Sequence, residues 1–195
     1  MNAKALILFF VLGLLGFLGV GIYNNLVTEE ENVNQAWAQV ENQYQRRADL
    51  IPNLVNTVQG AADFEQETIT EVIEARSRAT SINVEAGDLG NESMIRNFEQ
   101  AQNQLGGALS RLLVTVERYP QLTATQNFQD LQNQLEGTEN RITTERMRFN
   151  RAAQQYNTTI RRFPASIFAG LFGFDRKYYF EAAEGAETPP EVSFD

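Results

Sequence analysis

Residues 128–160 read FQDLQNQLEGTENRITTERMRFNRAAQQYNTTI. Within them Phe128, Leu131, Leu135, Thr138, Ile142, Glu145, Phe149, Ala152, Tyr156 and Ile160 follow one another at steps of three and four residues. That spacing lays side chains along one stripe of an α-helix, and its regular alternation is the a/d seam of helices packed lengthwise. The pattern runs on until the Phe163-Pro164 break. It predicts a helix about 60 Å long at 1.5 Å per residue, so the body is expected to be an elongated rod.

Working outward, the same seam recurs. From about Thr28 to Gln59, Leu26, Val33, Trp37, Val40, Tyr44, Ile51, Leu54 and Val58 keep the register, with Arg47 filling one place in the series. A shorter helix is predicted from Asp63, a fair N-cap with Gln66 three places on, to Val84, burying Phe64, Ile69, Val72, Ile73, Ala79 and Ile82. Another, from Glu92 to Tyr119, places Phe98, Leu105, Leu109, Leu112, Val116 and Tyr119 on one stripe and ends at Pro120, while Gly106 and Gly107 let a neighbouring helix come close. Pro52 removes a donor and pushes on the preceding turn, so the first helix is expected to kink or restart at 49–53. No stretch alternates with period two. The reading is all-α: an N-terminal transmembrane helix with its juxtamembrane segment (1–27), an elongated up-and-down four-helix bundle (28–163) and a C-terminal tail that is aromatic and then acidic and proline-containing (164–195).

The transmembrane expectation rests on Ala5 to Ile22, a charge-free run of apolar residues and glycines. As a helix it measures about 27 Å, close to a bilayer's hydrocarbon thickness. Lys4 precedes it, and Tyr23, Asn24 and Asn25 follow at the level of the interface. The stretch is longer than a usual signal-peptide core and no Ala-x-Ala site follows, which favours an uncleaved single-pass anchor. Lys4 and the α-amine before the segment and Glu29, Glu30 and Glu31 after it put the body on the extracytoplasmic side.

Alternating helices would bring Phe163 back to the membrane end. Phe163, Ile167, Phe168, Leu171, Phe172, Phe174, Tyr178, Tyr179 and Phe180 are accompanied there by Arg161, Arg162, Arg176 and Lys177. Apolar and aromatic side chains flanked by cations suit contact with membrane lipid or a second subunit. The alternative is that they fold back and cap the open end of the bundle. Residues 182–195, with Gly185, Pro189, Pro190 and several Glu, read as a solvated end.

Arg-Arg-Ala-Asp-Leu-Ile-Pro-Asn-Leu-Val at 46–55 resembles the LemA family of bacterial membrane-anchored proteins. The similarity continues through Val116-Glu117-Arg118-Tyr119-Pro120, Asn127-Phe128-Gln129-Asp130-Leu131-Gln132, Leu135-Glu136-Gly137-Thr138-Glu139-Asn140-Arg141-Ile142, Tyr156-Asn157, Phe163-Pro164, Gly173-Phe174 and Tyr179-Phe180-Glu181-Ala182. It covers nearly the whole chain after the anchor. The resemblance implies a short anchor and a long four-helix bundle in the bacterial envelope, and no assigned catalytic activity.

Composition narrows the chemistry. The 195 residues carry 16 basic and 25 acidic side chains, net charge −9, with no cysteine and no histidine. Disulfides, the usual zinc sites, Cys or Ser–His nucleophiles and imidazole acid–base catalysis are thereby excluded. The acidic balance speaks against nucleic acid as a partner. No metal or cofactor is expected, because a carboxylate metal site needs several inward acids and Glu145 alone has a seam position. Arg47 and Glu145, in the first and fourth seams, are the candidate internal ion pair, with a role in fixing register; otherwise both reach solvent. Helix surfaces rich in Asn, Gln and Arg, in a chain with only Lys4 and Lys177, offer interaction faces. The function expected is that of a non-enzymatic, self-associating scaffold or adaptor. Its alternatives are a monomeric stalk presenting the distal end to another envelope membrane protein, and a membrane-remodelling protein acting through the aromatic tail.

Overall fold

The computed structural model describes residues 3–60 and 65–181, without the side chains of 3–9, 11, 12, 14 and 15. It contains α1 (Ala3–Gln59), α2 (Gln66–Ser81), a 3-10 turn (Ala86–Gly90), α3 (Glu92–Val116), α4 (Pro120–Thr123), α5 (Gln126–Arg161) and α6 (Ala165–Phe172). No strand occurs among the described residues.

α1 is a single helix of 57 residues, about 85 Å long. Its seam residues from Leu26 to Val58, Arg47 included, are all buried. The helix crosses residue 27 unbroken, and Leu26 belongs to the core. Nor does α1 restart at 49–53. Pro52 stands on the exposed face beside buried Ile51, so its missing amide bond leaves the buried stripe intact.

α2 is shorter than predicted and buries Ile69, Val72, Ala75 and Ala79. Ile73 lies one residue off that stripe and is 47% exposed, whereas Ile82 falls after the helix and is partly buried. The predicted cap Asp63 and Phe64 lie outside the described residues. α3 is capped by the Asn91 side chain, which accepts from the Met94 amide. It ends at Val116, short of the predicted Tyr119, and Pro120 instead opens α4, at a position whose amide needs no partner. Thr125 caps α5 by accepting from the Phe128 amide.

α1 pairs lengthwise with α5, and α2 packs on α3. Two apolar cores are stacked along the rod. One gathers Leu26, Trp37, Tyr44, Phe98, Phe149 and Tyr156; the other gathers Ile51, Leu54, Ile69, Leu105, Leu112 and Phe128. The predicted tail is not separate, since Ala169 and Phe180 are buried in the first core. Among the described residues no helix is long and apolar enough to cross a membrane. The start of the expected anchor, Ala5 included, lies outside the described side chains.

Candidate functional site

Between the two cores lies a polar layer centred on Arg47, which is 3% exposed. Its Nη1 donates to Glu139 Oε1 of α5 at 2.7 Å, and its Nη2 donates to Gln102 of α3, to Oε1 at 2.6 Å and to the main-chain oxygen at 3.1 Å. Gln102 Nε2 donates onward to the Ala79 carbonyl of α2 at 3.2 Å. The guanidinium thus ties α1 to α3 and α5, and the Gln102 amide extends the layer to α2. The Tyr44 ring lies 5.1 Å from the guanidinium carbon. Burial pushes the Tyr44 hydroxyl pKa up, partly opposed by Arg146 and Arg47. Gly106 of α3 lies beside the layer, where a Cβ would stand 3.8 Å from Arg47 Nη1, in ordinary contact.

The expected Arg47–Glu145 pair does not form. Glu145 pairs with Arg148 at 2.9 Å on its own helix. The antiparallel register of α1 on α5 sets Glu139 at the level of Arg47, and Glu145 is six residues, about 9 Å, further along. Glu139 and Gln102 had no signal in the seam pattern, because each sits beside a seam position or takes an apolar place in it.

A second feature lies at the end of the bundle where α6 turns back on α1. Phe168 packs on Gly19, where a Cβ would come 2.9 Å from Phe168 Cε1. Tyr23 meets Phe172 and Phe174 edge-on, at centroid distances of 5.1 and 5.8 Å. Gly16, Gly19, Val20, Tyr23, Phe168 and Phe172 line an apolar groove of about 370 Å³. Outside it, Phe163 is 82% exposed and Leu171 73%, with Ile167 and Phe172 also exposed. Phe10, Phe17, Leu18 and Val20 of α1 are exposed at the same end. α6 closes on Gly173, whose φ of 76° is the left-handed conformation natural to glycine.

From Gly173 the chain continues as an extended strap, 174–181, lying back along the bundle. Asn157 of α5 donates Nδ2 to the Lys177 carbonyl at 2.7 Å and accepts the Lys177 amide on Oδ1 at 2.9 Å. Asn150 does the same for Phe180, with both bonds at 2.9 Å. The Tyr178 amide donates to the Leu89 carbonyl, and Lys177 Nζ meets Glu30 at 2.8 Å. Phe180 is 4% exposed, packed on Trp37 and Phe149, with the Arg146 guanidinium 4.4 Å from its ring centre. Nearby, burial and then the charges of Glu30 and Asp175 push the Tyr156 hydroxyl pKa up, and that hydroxyl has no hydrogen-bond partner among the described residues. Of the predicted contact residues, Phe180 is therefore core, while Phe168, Phe174, Tyr178 and Tyr179 are half-buried against the bundle. Asn150 and Asn157 were not singled out in the sequence; the available signal was two amides one heptad apart, each directly after an aromatic seam residue.

A further groove of about 1030 Å³ is bordered by Arg78, Arg96, Arg111 and Arg146. Arg96 pairs with Glu92 and Glu181, Arg111 with Glu71, and Arg146 with Glu99, so most of this charge is neutralised within the chain. Accepting from Arg111 holds the Glu71 carboxyl below its ordinary pKa. Among the described residues no group of Asp and Glu is placed to hold a metal ion.

Comparison with protein families matches residues 36–194 to the LemA family. Magnetosome protein MamQ 2 of Paramagnetospirillum magneticum is 27% identical over 206 residues, covering 95% of this chain and 75% of the relative. Magnetosome protein MamQ of Magnetospirillum gryphiswaldense is 27% identical over 201 residues, covering 92% and 72%. Protein LemA of Metamycoplasma hominis is 23% identical over 180 residues, covering 91% and 78%.

Proposed function

The chain belongs to the LemA family, and from that premise we propose that it is a non-enzymatic, membrane-anchored helical scaffold or adaptor of the bacterial envelope that self-associates. The observation that carries this reading is the gathering of exposed apolar side chains at one end of the rod. Phe10, Phe17, Leu18 and Val20 of α1 stand there with Phe163, Ile167, Leu171 and Phe172 around α6. They continue the apolar run 5–22. A contiguous apolar surface on an otherwise polar rod is suited to lipid, and Arg161 and Arg162 at its border are suited to anionic headgroups. In this reading 5–22 spans the bilayer once, α6 lies in the interface, and the body stands on the extracytoplasmic side.

Confinement to two dimensions raises the local concentration of identical rods, which favours association through their amide- and guanidinium-rich faces.

The test is the mass of the full-length protein in a mild detergent by light scattering, together with extraction of cell membranes by alkaline carbonate. A particle of several 22.0 kDa chains that resists extraction is expected. Release by carbonate would overturn the anchor. A monomer would overturn self-association and leave the stalk that presents its distal end to another envelope protein.

A further inference from the structure

The strap 174–181 is bound as a peptide ligand is bound. Asn150 and Asn157 each use the two ends of one amide to satisfy both main-chain groups of a strap residue, Phe180 and Lys177 respectively. The spacings agree. Seven residues along a helix rise about 10.5 Å, and three residues of extended chain cover about 10 Å. α5 therefore presents a ruler for extended backbone, the side-chain counterpart of strand addition to a sheet edge. Two side chains then set the register. Lys177, 7% exposed, reaches Glu30 of α1, and Phe180 fills the aromatic pocket of Trp37 and Phe149.

Nothing in this recognition depends on the strap belonging to the same chain. It reads backbone, one cation, one aromatic ring and the polar ends of Tyr179 and Glu181, and it leaves α6 through the left-handed Gly173 and Phe174, whose amide donates to the Ala169 carbonyl and whose ring meets Tyr23. We propose that the clamp formed by Asn150, Asn157, Glu30 and the Trp37–Phe149 pocket accepts the Lys177–Phe180 segment of a second copy, so that neighbouring rods exchange straps. The proposal rests on the self-associating reading given above. Rods anchored in one membrane hold every strap and every clamp at the same height, which turns exchange into an encounter at high effective concentration. The exchanged contacts are the ones already made within one chain, while the short path from Gly173 to Lys177 requires Phe174 to leave Ala169 and Tyr23 and the two bundles to lie side by side at this end.

The chain's lack of cysteine gives a direct test. Arg96 and Glu181 form an exposed pair at 2.8 Å where the strap ends. One tagged full-length population carries Arg96→Cys and another carries Glu181→Cys. The two are combined in the same liposomes and treated with a short bis-maleimide, while light scattering reports their mass in detergent. A chain carrying both cysteines calibrates the reagent by the link it forms within itself. Exchange predicts a mixed dimer joining the two tags, and a roughly tenfold or greater loss of it when the Glu181→Cys copy also carries Phe180→Ala, because the anchoring ring is gone. Asn150→Ala in the Arg96→Cys copy is the second control and is expected to lower the mixed dimer while leaving the strap donor intact. Large particles without a mixed dimer would overturn strap exchange alone. Monomers would overturn it together with self-association. A mixed dimer indifferent to both controls would also overturn it, since simple proximity would then explain the link.

Discussion

The Phe180 ring lies nearly parallel to the Trp37 indole, with centroids 5.7 Å apart and planes inclined by 19°. The most C-terminal core residue among those described is thereby stacked on the only tryptophan of the chain. Trp37 also donates from Nε1 to the Val84 carbonyl at 2.9 Å, so its position does not depend on the strap alone.

Phe180→Ala is expected to cost about 3–5 kcal/mol of stability, the usual range for emptying a buried aromatic site. It should also shift Trp37 fluorescence to the red under native conditions as water reaches the indole. Urea denaturation followed by circular dichroism gives the first quantity and the emission spectrum the second. An unshifted spectrum would mean that the strap stays seated without its ring.

The polar layer predicts an asymmetry. Glu139→Ala leaves the Arg47 guanidinium buried without its carboxylate and is expected to destabilise by roughly 3 kcal/mol, the low end for stranding a buried charge, because the Gln102 oxygens remain. Arg47→Met removes the buried charge itself and leaves Glu139, with 46% side-chain exposure, to water. Its cost is expected to be nearer 1 kcal/mol, mostly from the bonds lost at Gln102. Equal denaturation midpoints for the two variants would contradict the view that the layer specifies register rather than supplying stability.

Asn157→Ala withdraws the partners of both Lys177 main-chain groups and is expected to cost roughly 1–3 kcal/mol for each group left buried and unpaired. Asn157→Asp keeps the acceptor for the amide and loses the donor for the carbonyl. Hydrogen exchange at the Lys177 amide should therefore accelerate strongly in the first variant and weakly in the second.

Tyr44 and Tyr156 both have hydroxyl pKa values raised by burial above the ordinary 10.0. An acid whose pKa is raised on folding favours the folded state only while it stays protonated in the unfolded chain. This contribution is fully present below pH 10 and is lost as pH climbs above it. The urea midpoint should thus fall steeply above pH 10. Tyr156→Phe should flatten that fall and, by removing a hydroxyl with no partner, leave stability at pH 7 unchanged or slightly higher. A midpoint in Tyr156→Phe that falls as steeply as in the parent protein would discard this account.

The seams were legible because burial along a helix obeys one period, and Leu26 to Val58 needed no knowledge of neighbouring helices. The burial of Arg47 followed from the same period. Its partner did not, because whether Glu139 or Glu145 faces it depends on how far α5 slides along α1, a quantity set by all their contacts together. Pro52 reads as a break from local sequence alone, but on the wet side of a helix a missing donor is tolerated. The strap was visible only as an excess of aromatics. Its capture by Asn150 and Asn157 is recognition of main chain by side-chain amides, which leaves no periodic trace in either segment.

The absence of any joint in α1 gives the rod a mechanical character. The helix that carries the apolar N-terminal run goes on to line both cores as far as Val58. With 5–22 seated in a bilayer, the remaining length to Gln59 is a lever of about 55 Å. A tilt of about 20°, ordinary for a spanning helix, would carry its far end sideways by about 19 Å. Local membrane thickness or curvature, felt at one end, would be read as a displacement at the other.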